Sequence, residues 1–246
     1  MAAVIKFQEL KAVKVVDAIV TADEGMRKDF MHKGAKCTVS VDNFPRLDLF
    51  LGKANDISPK YDLVYHGTIP KYHLETCFAV DTELAKRGIE PTWLFIGKYS
   101  DLDWAKEEIR KKKAENRITF KGFVVHDDIA RWVRLGRIGI IPLPNFPKFQ
   151  RNVPTKLFEF MALKMPVVLS NLPPSRPYVG DGKCAIMVEP DSPHEYADAI
   201  SDLIADPHRC NEMGKEGNRR VVSRYNWETS FSKLLKLYKE LLCTKS

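Results

Sequence analysis

Short apolar runs of strand length alternate with helical patterns along most of this chain, and that alternation constrains its fold more than any other feature. Six strands are predicted at 62–66, 92–96, 118–123, 138–143, 166–170 and 184–188, with helices near 74–87, 101–114, 127–135 and 155–163. Strands separated by helices form parallel βαβ units. The sequence therefore predicts an α/β fold with a complete Rossmann-like, doubly wound parallel sheet domain over residues 59–246.

Helical patterns continue after the last predicted strand. A capping residue precedes proline at Ser192-Pro193 and at Asp206-Pro207, a combination typical of helix starts. A final helix is predicted to open at Asn226 and to carry an apolar stripe. The stripe consists of Phe231, Leu234, Leu235, Tyr238, Leu241 and Leu242. We expect this apolar face to pack against another part of the protein.

The first 58 residues show only two short strand patterns, at 18–21 and 37–41, which alternate with helices at 4–16 and 24–32. Two strands rarely form a stable sheet by themselves. Residues 1–58 are therefore interpreted as the end and linker of a partial second α/β domain, whose other strands lie outside this sequence. The alternative is that they dock on the following domain as an extension.

The segment 152–163 predicts a helix whose amino terminus could bind an anion. Asn152 is a candidate cap, and Pro154 suits the first turn. The backbone N–H groups near Thr155, Lys156 and Leu157 would then lack helical partners and would point outward at the positive end of the dipole. Such a helix end is a candidate phosphate site.

Glu159 lies about one turn further along the same helix and is the only charged residue from Leu157 to Leu163. A carboxylate on an apolar helix face is costly to bury unless it accepts hydrogen bonds. Sugar hydroxyls would satisfy this carboxylate. The structural alternative is an ion pair with Lys156, three residues earlier, or with a distant arginine.

The net charge of +7 and the pI near 9.1 suit an anionic ligand without selecting one. Nucleotides, lipid headgroups and nucleic acid would all fit a basic protein. The run 106–113 interleaves glutamates with its basic residues on a predicted helix, which favours a solvated face over a nucleic-acid patch. Five scattered cysteines predict reduced thiols, and no apolar run approaches the roughly 18 residues of a membrane span. We expect a cytoplasmic protein, at most peripheral to a membrane.

Glycine lies at the ends of three predicted strands. Gly67 follows His66 directly, and Gly97 and Gly122 occupy similar places. Glycine permits the sharp turn that brings backbone close to phosphate in doubly wound folds, so a cleft along the carboxyl edge of the sheet is predicted. The sequence lacks the glycine patterns of dinucleotide-binding and P-loop proteins. His66 and His126 flank strands and are interpreted as edge or loop residues rather than catalytic ones.

Six segments, in order, resemble the GT-B fold glycosyltransferases of family 4, group 1 type. YHGTIP resembles the first strand and glycine loop of the family's second domain, WLFIG the second strand, and ITFKGFVVHDDIARWV the next strand and the helix after it. PTKLFEFMALKMPVV resembles the donor-site helix, and YNWETSFSKLLKLY the closing tryptophan helix. AIVTADEGMRKDF with VDNFP resembles the end of the family's first domain. Taken together, the resemblance covers residues 60–244 and part of the preceding region.

This resemblance implies transfer of a sugar, a hexose in our prediction, from a nucleotide-diphosphate donor to a hydroxyl acceptor, with retention at the anomeric carbon. The acceptor would be a sugar, a polysaccharide or a lipid-linked glycan, and neither a metal nor a cofactor is expected. Glu159 matches the second acid of the family's E-x7-E motif and would accept hydrogen bonds from the ribose hydroxyls. The N–H groups near Lys156 and Leu157 would face the diphosphate. The resemblance assigns no catalytic residue here.

Three features depart from the family pattern. The first acid of the motif falls at Arg151, beside Asn152, so the contacts to the donor sugar do not follow. The family's basic residues after the first glycine loop fall at Thr68 and His73. The phosphate clamp is then His73 or the nearby Lys71, and Lys71 is favoured. Most of the acceptor-binding domain is also missing from this sequence. The predicted donor-binding residues are Gly67, Thr68, Lys71, His73, Asn152, Thr155, Lys156, Leu157 and Glu159.

The main prediction is a nucleotide-sugar-dependent glycosyltransferase, or the donor-binding fragment of one. The alternative from another class is a non-catalytic nucleotide- or sugar-binding module that needs a partner chain to supply the first domain. An epimerase of the same fold fits the pattern around Glu159 less well. Peripheral contact with a membrane is compatible with the basic charge, and no nucleic-acid partner is predicted. The base, the donor sugar, the acceptor and the oligomeric state do not follow from the sequence.

Overall fold

A computed structural model describes residues 2–52 and 57–243 of the chain. The chain divides into two compact units, Met1–Arg46 with Arg224–Ser246 and Leu47–Ser223. The strands are β1 Ile19–Thr21, β2 Thr38–Ser40, β3 Tyr61–Ile69, β4 Trp93–Tyr99, β5 Ile118–Gly122, β6 Gly136–Ile141, β7 Val167–Ser170 and β8 Ala185–Val188. The α-helices are α1 Ala2–Val15, α2 Glu24–His32, α3 Leu47–Phe50, α4 Lys71–Ala85, α5 Leu102–Lys111, α6 Ile129–Val133, α7 Lys156–Ala162, α8 Arg176–Val179, α9 Pro193–Ala205, α10 Pro207–Ser223 and α11 Trp227–Cys243.

The larger unit is built on a six-stranded, all-parallel sheet in the order β5-β4-β3-β6-β7-β8. From β3 the chain proceeds to one edge of the sheet through β4 and β5, and then returns to the other side of β3 with β6. β3 and β6 therefore form the topological switch point, beside which ligands bind at the carboxyl ends of the strands in open α/β sheets. All six predicted strands of this domain are confirmed, with bounds shifted by a few residues.

Side chains along β3 alternate between the two faces of the sheet. Leu63 and Tyr65 are fully buried in the core that also contains residues of α4, α5 and α9. His66 points to the opposite face, where its ring meets the ring of Phe160 on α7 at a centroid distance of 4.9 Å. This alternation brings one polar residue of β3 next to the helix that carries Glu159.

Helix α7 approaches the sheet closely because β6 has a glycine at the crossing point. A Cβ at Gly139 would lie only 2.6 Å from Cγ of Phe160, so any larger residue would displace the helix. On its other side α7 packs against α10, where a Cβ at Gly217 would lie 3.2 Å from Cγ of Met161. These contacts fix the position of α7 and of the side chains that it presents at the carboxyl edge of the sheet.

The smaller unit contains a two-stranded parallel sheet of β1 and β2, on which α11 packs. Asn226 caps α11 by accepting a hydrogen bond from the Thr229 N–H at 2.8 Å. The Trp227 N–H donates to the Pro45 carbonyl at 2.9 Å. The predicted start of the final helix is therefore confirmed.

The apolar stripe predicted on the final helix is not the face that this helix buries. Ser230 and Leu237 are buried on α11. Four members of the stripe are exposed, namely Phe231, Leu235, Tyr238 and Leu242. This chain does not bury these four side chains, because α11 turns its Ser230 and Leu237 face inward instead. The expectation that the stripe packs on another part of the protein stays a prediction.

The predicted domains, 1–58 and 59–246, remain a prediction, and the compact units divide the chain at different places. The larger unit begins at Leu47 rather than at residue 59. Helix α11 belongs to the smaller unit, where it packs on β2. No helix within 2–52 and 57–243 is long and apolar enough to cross a membrane. All five cysteines have free thiols.

Candidate functional site

A cavity of about 410 Å³ opens at the carboxyl edge of the large sheet. Its walls come from the ends of β3 and β4, the segment after β5 and the start of α7. The lining residues are His66, Gly67, Thr68, Ile96, Gly97, Lys98, Phe123, Val124, His126, Ile129, Thr155, Lys156 and Glu159. This is the region beside the switch point where a doubly wound sheet presents its ligand site.

Two glycines in register leave one point near the ends of β3 and β4 without side chains. Gly67 pairs with Gly97 across the parallel strands, and both have positive φ angles, 110° and 146°. A Cβ at Gly97 would lie 1.8 Å from the carbonyl oxygen of Gly67. Only glycine fits there, so the backbone itself lines this part of the cavity and can approach a ligand closely.

Lys156 places a partly buried ammonium group in the cavity. Its Nζ lies 4.1 Å from the centre of the Tyr65 ring, a cation–π contact, and 3.3 Å from where a Cβ would stand on Gly67. Lys156 forms no ion pair with any residue that the structure describes. Burial lowers the pKa of Lys156 to about 8, although the charge of Glu159 opposes this change. An anionic ligand would compensate for that burial.

Glu159 presents a carboxylate to the same cavity, and only 15% of its side chain is exposed. Burial raises the pKa of Glu159 to about 7, with Lys156 acting in the opposite direction. The group is therefore divided between its protonated and ionised forms near neutral pH. Hydroxyl groups of a ligand would favour the ionised form, because they donate hydrogen bonds to a carboxylate.

His66 lies beside this carboxylate and is almost completely buried. Its Nε2 is 3.3 Å from Oε2 of Glu159. The two groups are not aligned as a hydrogen bond, and Nε2 has no hydrogen-bond partner among the described residues. Burial, and then the charges of Lys156 and His126, lower the pKa of His66 well below its usual value, so the imidazole is neutral. The interpretation of His66 as an edge or loop residue is wrong, because the alternation along β3 turns it inward.

Five of the nine predicted donor-binding residues line this cavity, and they are Gly67, Thr68, Thr155, Lys156 and Glu159. The other four do not line it. Lys71 is directed elsewhere, with its Nζ 3.7 Å from Oδ2 of Asp101 and 4.6 Å from the centre of the Trp104 ring. Two other lysines, Lys98 and Lys156, line the cavity. The sequence analysis names Lys156 for its backbone N–H and as a possible ion-pair partner of Glu159, but not as the phosphate clamp.

His73 is buried at the start of α4 and is not available as a cation. Its Nδ1 is hydrogen-bonded to the Tyr65 hydroxyl at 2.6 Å. Burial lowers the pKa of His73 to about 3. It therefore stays neutral at physiological pH and cannot clamp a phosphate by charge.

The predicted cap at Asn152 is wrong. Helix α7 begins at Lys156, its N-cap is Thr155, and no side chain caps it. The Leu157 N–H donates to the Pro154 carbonyl at 3.0 Å, so it is already paired. A tight turn at 154–157 replaces the side-chain cap, and Asn152 is exposed outside the cavity lining.

Comparison with known proteins identifies the family. The model of the family described as glycosyl transferases group 1 matches residues 60–206, more than half of the chain. The chain belongs to this family. Over 246 residues it is 25% identical to the putative teichuronic acid biosynthesis glycosyltransferase TuaH of Bacillus subtilis, covering 95% of this chain and 59% of that protein. It is 22% identical over 171 residues to alpha-D-kanosaminyltransferase of Streptomyces kanamyceticus, covering 70% of this chain and 42% of that protein.

Solved structures agree on the fold. TarM of S. aureus, in a complex that includes UDP, matches with a TM-score of 0.74 at 16% identity, over 95% of this chain and 46% of that one. HepE of Anabaena in complex with UDP-glucose matches with a TM-score of 0.72 at 16% identity, over 93% and 65% of the two chains. These neighbours are GT-B glycosyltransferases, which confirms the predicted GT-B-like α/β fold. The chain spans well under two thirds of the two curated relatives described above.

Eight lining residues are not among the site residues predicted from the sequence. Four of these eight have polar or aromatic side chains: His66, Lys98, Phe123 and His126. Each lies at, or a few residues after, a strand end that the apolar pattern predicts. The signal was therefore available, because the carboxyl ends of β3, β4 and β5 meet at one edge of a parallel sheet. What the sequence does not show is which side chain at each strand end turns toward the cavity.

Proposed function

We propose that this chain is the donor-binding part of a retaining glycosyltransferase, which transfers a hexose from a nucleotide-diphosphate sugar to a hydroxyl acceptor. One observation carries the proposal: Lys156 and Glu159 present a cation and a carboxylate to the same cavity. Among the described residues, Lys156 has no ion-pair partner, and Glu159 has only a misaligned contact with His66. A nucleoside diphosphate supplies the groups that both lack. The relatives are named as transferases, which does not favour the non-catalytic module.

The ribose of the nucleotide would bind to Glu159. Its two adjacent hydroxyls can both donate to a carboxylate, which restores the hydrogen bonds that burial takes from Glu159. Hydrogen bonds to a charged group contribute about 1.5–3 kcal/mol each, enough to hold Glu159 in its ionised form. This role agrees with the position of Glu159 on the wall of the cavity.

The diphosphate would lie between Lys156 and the bare ends of β3 and β4. The ammonium of Lys156 is desolvated, so its attraction to phosphate is stronger than that of a surface lysine. Gly67 and Gly97 leave room for phosphate oxygens against the backbone, and Thr68 adds a hydroxyl at the rim. Negative charge develops on the diphosphate as the sugar leaves, and a preorganised cation at this position stabilises it.

The donor sugar would extend from the diphosphate toward the acceptor. The acceptor in this proposal is a hydroxyl of a sugar, a polysaccharide or a lipid-linked glycan, and contact with a membrane surface would suit the net charge of +7. The proposal requires no resident cofactor, because the nucleotide sugar is a substrate. Arg151 replaces the acid that the family uses at this position of the motif, and we expect the contacts to the donor sugar to differ accordingly.

Calorimetric titration with UDP, GDP and ADP tests the nucleotide site. We expect one diphosphate to bind the chain, and Glu159→Ala to weaken that binding by about 1–3 kcal/mol, roughly 5- to 150-fold. Glu212→Ala is the matched control, because Glu212 is exposed on α10, outside the cavity lining, and pairs with Lys215. Binding of none of the three diphosphates, or equal binding by Glu159→Ala, would contradict the proposal. Retention is checked separately from the anomeric configuration of the product by NMR.

A further inference from the structure

We propose that His66 is a positioning residue that orients the Glu159 carboxylate and sets its charge state for a ligand with two adjacent hydroxyls. This inference rests on the proposed function, in which Glu159 binds the ribose. Neither the resemblance nor the family match assigns a role to His66. The inference is carried by the place of the imidazole in the fold and by the Glu159 carboxylate oxygen that lies 3.3 Å from its Nε2.

The imidazole ring is held rigidly. His66 is on the central strand β3, its side chain is only 5% exposed, and its ring packs edge-on to Phe160 with an interplanar angle of 82°. Phe160 is itself fixed against Gly139 of β6. The ring therefore has little freedom to rotate, and its Nε2 remains directed toward α7 and Glu159.

The Nε2 atom of His66 faces the carboxylate of Glu159. Nε2 lies 3.3 Å from Oε2 of Glu159 but is not aligned with it as a hydrogen bond. Leaving a buried polar nitrogen without a partner is unfavourable, so a small movement of the Glu159 side chain is favoured when it completes this bond. A ligand that draws the carboxylate into position would complete it.

A neutral imidazole can pair with Glu159 in both of its charge states. When Glu159 is ionised, the Nε2–H tautomer donates to Oε2, which leaves Oε1 to accept from the ligand. When Glu159 is protonated, its hydroxyl donates to the unprotonated Nε2 of the other tautomer. The first arrangement stabilises the carboxylate and leaves its outer oxygen facing the cavity. A phenylalanine at this position could do neither.

Other titratable groups face the same cavity as this carboxylate. Lys156 faces Glu159 from its own helix, Lys98 lines the cavity from β4, and His126 lines it from the segment after β5. Lys156 favours the ionised form of Glu159 by charge. His66 differs from these groups because it acts as a hydrogen-bond donor without adding charge.

The charge state of Glu159 can be measured without any ligand. The experiment is a pH titration of the side-chain carboxyl carbons by NMR in protein labelled with 13C-glutamate, with Glu159→Gln used to assign the signal. We expect the Glu159 midpoint to rise by about one pH unit in His66→Phe, because the ionised carboxylate can no longer move into a hydrogen bond with the Nε2–H. In His66→Gln the amide nitrogen can replace Nε2, and the midpoint should return toward that of the unmodified protein. His208→Phe, on the exposed start of α10, is the control.

The ligand experiment separates this inference from the proposed function. A nucleoside diphosphate that binds the unmodified chain should bind His66→Phe about tenfold more weakly near pH 6.5, because a smaller fraction of Glu159 is ionised in the variant. The difference should be smaller near pH 8.5, where Glu159 is mostly ionised in both proteins. His66→Gln should recover most of the affinity. An unchanged Glu159 midpoint in His66→Phe would overturn the role of His66. Failure of the unmodified chain to bind any diphosphate would instead overturn the nucleotide site, while the midpoint still tests the effect of His66.

Discussion

Two inward-facing carboxylates of the larger unit, Asp81 and Glu159, have opposite surroundings. Asp81 on α4 is 2% exposed and accepts hydrogen bonds from Nε1 of Trp93 at 2.9 Å and from Nη2 of Arg117 at 2.7 Å. Within the described part of the chain, the Glu159 carboxylate forms no side-chain hydrogen bond, and the imidazole of His66 lies 3.3 Å away, out of hydrogen-bond alignment. The first carboxylate is satisfied by the protein, whereas the second retains capacity to accept from a ligand.

The cations beside these carboxylates show the same contrast. Hydrogen bonding to Asp81 raises the pKa of Arg117 above its usual value. Burial lowers the pKa of Lys156 to about 8, because no hydrogen-bonded carboxylate compensates for its desolvation. A buried pair that is complete serves the fold, whereas an incomplete one that faces a cavity is a candidate binding site.

Removal of the Asp81 carboxylate should have the largest effect on stability. In Asp81→Ala, Arg117 and Trp93 lose their acceptor inside the protein, and we expect a loss of about 3–5 kcal/mol in the free energy of unfolding. Urea denaturation measures this value, with Asp103→Ala on the exposed side of α5 as the control. The folded fraction of Asp81→Ala should bind the nucleotide as the unmodified chain does. A loss below about 1 kcal/mol would break the contrast between the two carboxylates.

Loss of the Lys156 ammonium should affect binding rather than folding. Lys156→Met retains the apolar stem, and we expect nucleoside diphosphate affinity to fall by about 1.5–3 kcal/mol, roughly 10- to 150-fold. Lys71→Met is the matched control, because the Lys71 ammonium lies near Asp101 and Trp104, and this variant should change the affinity by no more than about twofold. Calorimetry measures both variants. A larger loss in Lys71→Met than in Lys156→Met would reverse the assignment of the phosphate-binding cation.

Neutralising Glu159 should stabilise the protein near neutral pH. The pKa of Glu159 is raised from 4.5 to about 7 in the folded state, so the folded protein binds the proton more tightly than the unfolded chain. The stability that this tighter proton binding gives the folded protein is therefore lost as pH rises from 4.5 to about 7. Glutamine does not ionise, so Glu159→Gln should be more stable than the unmodified chain by roughly 1–2 kcal/mol near pH 8. This value allows for an opposing effect, because Lys156 loses its nearest opposite charge. Urea denaturation across pH tests this, and the difference should shrink below pH 4.5.

The sequence predicted the large sheet well because each strand is a continuous apolar run between helices. Parallel strands buried on both faces have that pattern wherever they occur. The final helix shows the limit of such patterns. Its apolar stripe is real, yet the structure buries Ser230 and Leu237 and leaves Phe231 exposed, because packing on β2 selects the buried face. Periodicity predicts that a helix forms, and tertiary contacts decide which face it buries.

The candidate site could be predicted only in part. Glu159 was identified because a single charge in an apolar helix is rare, and the same segment drew attention to Lys156. Asn152 was assigned as a cap because its type suits that position, whereas the chain begins α7 three residues later with a tight turn. His66 was missed because strand alternation gives two faces, and only the placement of α7 shows which face holds the site.

The most direct test of the unsatisfied carboxylate is a cycle that removes its proposed ligand groups. Affinity is measured for the preferred nucleoside diphosphate and for its 2′,3′-dideoxy analogue, with the unmodified chain and with Glu159→Gln. If Glu159 binds the ribose, loss of the two hydroxyls should weaken binding to the unmodified chain by about tenfold or more, and binding to Glu159→Gln by much less. An equal loss in both proteins would show that Glu159 does not contact these hydroxyls, and would contradict the ribose site.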